Sequence, residues 1–178
     1  AVHATLPGNC PPRESPAATN PLVIAVCGDA AFAGKLADEA AKRPATASGW
    51  LRVQLPLIRA VAELRRNNPD AAIELLRPVA PHDLYQPQVP YIRGLVYLAA
   101  RKGDEAASEF QKLVDHRGIH WQFQPVFRRE TGPLRAMAYV GVARGAALAG
   151  DMPRARKAYQ DFLALWNVSV PDEVRNPF

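Results

Sequence analysis

The histidines come first, because they are the side chains in this chain best suited to metal or acid–base chemistry. His116 and His120 stand four positions apart, beside Asp115. On a helix that spacing puts two imidazoles on one face, where they can share a zinc ion. Here Gly118 interrupts the segment DHRGIHWQFQP, which reads as a loop pinned by Trp121, Phe123 and Phe127, and no third ligand stands at a matching spacing. No metal is expected. His82 and His3 are isolated. A serine nucleophile needs a positioned base, and Ser15, Ser48, Ser108 and Ser169 have neither an elbow nor a triad context. Asp104 and Glu105 open a helix, where the dipole accounts for them. Glu63, Asp70 and Glu74 read as solvated helix faces, and Arg65-Arg66 and Arg128-Arg129 as surface pairs. No constellation reads as an active site, so neither an enzyme nor a cofactor is expected.

Cys10 and Cys27 lie 17 positions apart near the start of the chain. Paired, they would close a loop and stabilise the fold by about 3 kcal/mol. The alternative is two reduced thiols, with Cys27 a small core residue. The disulfide is favoured because Cys10 sits in a Pro-rich stretch with no core of its own. The chain begins at Ala1 without Met, as a protein trimmed after export does, and as an excised fragment also does. These features lean towards an extracytoplasmic or secreted protein.

The 178 residues suit one domain or one array of small units. Apolar residues make up 48% of the chain, yet no apolar run approaches the length of a membrane span. The net charge is +5, with the arginines scattered rather than massed. Basic character alone predicts solubility and loose attraction to anions. No nucleic-acid-binding motif is present, so no nucleic-acid partner is expected.

The elements that would position any site read as helices. Residues 1–20 form an arm in which Pro7, Pro11, Pro12 and Pro16 forbid helix and favour an extended path. Asn20-Pro21 opens a helix to Cys27, and a second runs over about 30–42. Residues 50–66 are helical, with Pro56 either a kink or the true start. A short helix over 71–77 ends at Pro78 and Pro81, and a loop follows to Val89. Helices are expected over 90–101 and 104–115, with Gly103 in the turn between. A loop follows over 116–132. The last hairpin has Pro133 at the first helical position and Gly150 as the left-handed stop. Pro153 opens its second helix, whose apolar face is Ala155, Ala158, Tyr159, Phe162, Leu165 and Trp166. Residues 167–178 form an irregular tail.

The turns GDAAFA, NNPDAA, KGDEAA and GDMPRA each stand between two helices. The small residues that open each second helix are Ala33, Ala72, Ala106 and Ala155, separated by 39, 34 and 49 positions. A helix pair recurring every ~34 residues with loop insertions is the mark of a tetratricopeptide (TPR) solenoid. The chain resembles the TPR family over about residues 21–166. Gly94, Tyr97, Ala106 and Phe110 match in register, with Gly103 displaced by two. In the last unit Ala143, Gly150, Ala155 and Tyr159 match, and Ala146 replaces the tyrosine. The unit around Ala72 keeps Ala60, Asn67, Ala72 and Leu76, and the first keeps Gly28 and Ala33. The expected fold is therefore all-α, a right-handed TPR-like superhelical solenoid of about four helical hairpins.

The stretches GLVYLAARKGDEAASEFQKLVDHRG and YVGVARGAALAGDMPRARKAYQDFLALW look more specifically like the C-terminal TPR tail of bacterial multidomain serine/threonine kinases and related sensor proteins. That resemblance implies sensing of a ligand or partner. It carries no kinase activity over, because this chain has no glycine-rich phosphate loop, HRD or DFG. Such tails continue in a polar helix, whereas here NVSVPDEVRNPF follows Trp166.

Two roles are expected. In a TPR stack the first helix of each pair lines a groove, here Gln54, Arg65, Gln88, Tyr91, Arg144 and Leu148, suited to a peptide or protein partner. Packing against neighbouring helices is the competing reading for these residues, Tyr91 above all. The alternative role is self-assembly, head to tail or into a filament. It would join the arm at Cys10, Pro11 and Pro12 to an uncapped end at Leu165, Trp166 and Phe178.

Overall fold

A computed structural model describes residues 25, 29–42, 49–83, 86–116 and 128–169. Among these there are seven α-helices, one 3-10 helix and no strand. The helices are α1 (Ala30–Ala41), α2 (Gly49–Arg65), α3 (Pro69–Leu76), α4 (Gln88–Ala99), α5 (Gly103–Asp115), α6 (Arg128–Ala149) and α7 (Met152–Ser169), with the 3-10 helix Arg77–His82 between α3 and α4. The arm, both cysteines and the tail from residue 170 lie outside the described residues, as does the expected first helix except for Ala25.

Each helix packs on its successor in sequence, and α2, α4 and α6 also pack on one another in that order. The apolar core is continuous along the array. It runs from Ala25, Ala33 and Ala37 through Leu57, Ile58, Val61 and Leu76 to Val96, Phe110, Ala143 and Ala158. The four alanines that open second helices are buried at 0–2% exposure, so these helices approach their neighbours closely.

The three described turns between paired helices have one geometry. Asn67, Arg101 and Gly150 take left-handed backbone, with φ of 60°, 60° and 88°. Each donates its N–H to the carbonyl three residues back (Leu64, Leu98, Ala147), and the next residue donates to the carbonyl five back (Glu63, Tyr97, Ala146). This pair of bonds satisfies the last carbonyls of a helix. Asp151 closes the other side of the last turn and Asp29 caps α1, each accepting from a backbone N–H three residues on (Arg154, Phe32) through a carboxylate oxygen.

The second turn departs from expectation. Gly103 is the first residue of α5 and not the turn glycine; the left-handed position belongs to Arg101. A Cβ at Gly103 would come 2.5 Å from the Ala149 backbone nitrogen. Gly103 is therefore spent on helix contact, and an arginine bears the left-handed backbone. That conformation costs a residue with a Cβ about 1–2 kcal/mol, partly offset by the larger unfolded-state entropy of glycine. Arg101→Gly is expected to stabilise the fold by about 0.5–1 kcal/mol in urea unfolding. Asn67→Gly should gain less, because asparagine tolerates this region.

Other boundaries moved for identifiable reasons. α2 runs through Pro56 without starting there. α6 starts at Arg128, which makes Pro133 an interior residue and replaces the later part of the expected loop with helix. The stretch after α3 is a 3-10 helix anchored by buried Val79; its tighter winding accommodates Pro78 and Pro81, which lack a donor. The expected face of α7 is only partly buried. Ala155 and Ala158 are inside and Phe162 and Leu165 pack partly on the core, but Tyr159 is 42% exposed.

Candidate interaction face

The residues expected to line a groove all fall on α2, α4 and α6, the three helices that share one layer. They are not equally accessible. Gln54 is 4% and Tyr91 6% exposed, so neither lines an open groove. Tyr91 and Phe110 form a T-shaped pair, with centroids 5.6 Å apart and planes at 76°. Burial raises the pKa of its hydroxyl above the ordinary value, against the opposing pull of the Arg144 charge. The tyrosine is thus a core residue whose polar end lies within the field of Arg144.

Gln88, Arg144 and Leu148 are half-buried, and Arg65 is exposed at the end of α2. The Arg65 Nε donates to the Ala25 carbonyl at 3.0 Å and so ties α2 to the preceding segment. Gln54 and Gln88 stand 34 positions apart, at matching turns of α2 and α4. The Oε1 of each is closed from solvent and has no hydrogen-bond partner among the described residues. A buried amide oxygen without a donor is unfavourable by about 1–3 kcal/mol. The layer therefore carries two acceptors whose needs are unmet.

A buried charge cluster on the other side of α4 was not foreseen. Arg93 Nη2 donates to Asp83 Oδ2 at 2.5 Å and to Glu109 Oε2 at 2.6 Å. Lys112 Nζ donates to the same Asp83 oxygen at 2.8 Å and to Glu109 at 3.0 and 3.1 Å. Two cations thus share two carboxylates, which joins the 3-10 segment to α4 and α5. Burial works against the Arg93 charge, but hydrogen bonding and attraction to Glu109, then to Asp83, outweigh it and raise its pKa. Nothing local in the sequence marks Asp83 as a neighbour of Glu109.

His116 caps α5, its Nδ1 2.9 Å from the Lys112 carbonyl, while His120 lies outside the described residues. No cluster of three or more metal-ligating side chains occurs among the described residues. No helix there is long and apolar enough to cross a membrane. Of the self-assembly residues, Cys10, Pro11, Pro12 and Phe178 lie outside the described residues, as does Cys27. Leu165 packs partly against the core, and Trp166 lies in the last turns of α7. No known protein family, curated protein or solved structure matches the chain.

Proposed function

We propose that the chain is a non-catalytic protein-interaction module built as a TPR-like solenoid. The face of α2, α4 and α6 would take a peptide or protein segment. The observation that carries this reading is the repetition of one turn at Asn67, Arg101 and Gly150, at spacings of 34 and 49 residues. Identical turns at those spacings bring the first helices of successive hairpins side by side, and the α2–α4 and α4–α6 contacts agree. The accessible part of the face is Arg65, Gln88, Arg144 and Leu148, although the Gln88 Oε1 itself is closed from solvent. Such a surface suits an extended segment that offers a carboxylate and an apolar side chain.

The test starts with peptides selected on the purified chain. Their affinities are then measured for wild type, Arg144→Glu and Leu148→Asp, each checked for helix content. Binding about tenfold weaker in both variants is expected. Equal affinity for all three proteins removes the face from consideration. Tyr91 makes a poor probe, because truncating it disturbs Phe110.

A further inference from the structure

Among the described helices, α3 and α5 are each covered on two sides and α7 on one. α3 packs on α2 and α4, α5 packs on α4 and α6, and α7 packs on α6. α7 aligns on α5 through Ala155 and Ala106. Both are buried, and each donates its N–H to the carbonyl four residues back, of Asp151 and Lys102. In that register Gly103, Ala107, Phe110 and Val114 correspond to Met152, Arg156, Tyr159 and Leu163. The first four are buried. Gly103 and Ala107 lie against Gly145 on α6, and Phe110 lies against Gly141. The second four are exposed, Met152 at 58%, Tyr159 at 42% and Leu163 at 54%. The α7 row is therefore the counterpart of the surface on which α6 lies against α5.

The charge in this row indicates what covers it. Arg156 takes the place of Ala107, where a Cβ on Gly145 of the facing helix would already come 2.6 Å from backbone nitrogen. A helix seated on α7 must stand further off and supply an acceptor to Arg156. Within α7, Lys157 already holds Asp161 at 3.1 Å, and Asp151 caps the helix. No ion pair to Arg156 occurs among the described residues. A second copy fits poorly. Two α7 rows related by a twofold axis would bring two Arg156 side chains into one apolar seam. Phe32, the other large apolar side chain exposed among the described residues, stands alone beside Lys35.

We propose that Met152, Tyr159 and Leu163 form a docking site for an amphipathic helix of another protein, one with a carboxylate in its apolar seam to meet Arg156. The site is separate from the α2–α4–α6 face and does not rest on that reading.

The probe is a labelled synthetic helix with leucines in an i, i+3, i+7 seam and a glutamate within it, compared with the same peptide carrying lysine there. Fluorescence anisotropy at low salt is expected to show the glutamate peptide binding about tenfold or more tightly than the lysine peptide. Arg156→Glu should reverse the preference, and Leu163→Asp should abolish binding of both. These positions are exposed, so the variants should keep the wild-type helix content. Equal binding of the two peptides, binding of neither, or indifference to Leu163→Asp overturns the proposal. So does sedimentation showing a dimer that Leu163→Asp dissolves, since the row would then belong to a second copy.

Discussion

Phe110→Ala is expected to lower the free energy of unfolding by about 3–5 kcal/mol, read as a shift of the urea midpoint at unchanged slope. Phe110 is 1% exposed and is the largest fully buried side chain described. Its surroundings keep the cavity open. The ring lies against Gly94 of α4 and Gly141 of α6, which have no side chains to move into the space, and against the Tyr91 ring. Cavities that cannot collapse fall at the upper end of the large-to-small range. The same geometry gives a coupling test. A Cβ at Gly94 would come 2.7 Å from the ring, and one at Gly141 would be closer still. Gly141→Ala alone should therefore destabilise through overpacking. Combined with Phe110→Ala it should cost less than the sum of the two, because the added methyl then fills vacated space. Phe162→Ala should cost less than Phe110→Ala, since Phe162 is only partly buried.

Glu109→Ala is expected to cost about 3–5 kcal/mol in the same measurement. The side chain is 8% exposed and accepts from both Arg93 and Lys112. Its removal leaves the Arg93 guanidinium buried with Asp83 as its remaining charged partner and its Nε without a partner among the described residues. Replacing the pair together, as Arg93→Met with Glu109→Leu, should cost much less than the single change, because no uncompensated charge remains inside. A double-mutant cycle at low and high salt checks both statements. The coupling should persist at high salt, where that of the exposed Lys42–Glu39 pair is screened.

Much of the helical framework was legible without coordinates. Apolar spacing at the helical period placed most of the helices, and the turns around Asn67 and Gly150 announced themselves by residue type. The recurrence of Ala33, Ala72, Ala106 and Ala155 located four sites of close helix contact, because a buried small residue at a helix start is a local signal. Prolines misled the reading where their context was tertiary. Pro133 looked like a helix start and Pro56 like either a start or a kink, since a proline removes one hydrogen bond wherever it stands. The structure keeps both inside helices, which packing can sustain at that cost.

What the sequence by itself determined was the alternation of helix and turn, which depends on residues within a few positions of each other. The tertiary structure decided the rest. It made Gly103 a contact and gave Arg101 the left-handed backbone, because α6 crosses α5 too closely there for a Cβ. It buried Tyr91 and Gln54, placed Asp83 beside Glu109 across 26 residues of chain, and left Tyr159 in solvent where Phe110, at the same register, is enclosed. Each of these outcomes depends on which helix lies opposite. That is a property of pairs of distant segments, and no local pattern encodes it.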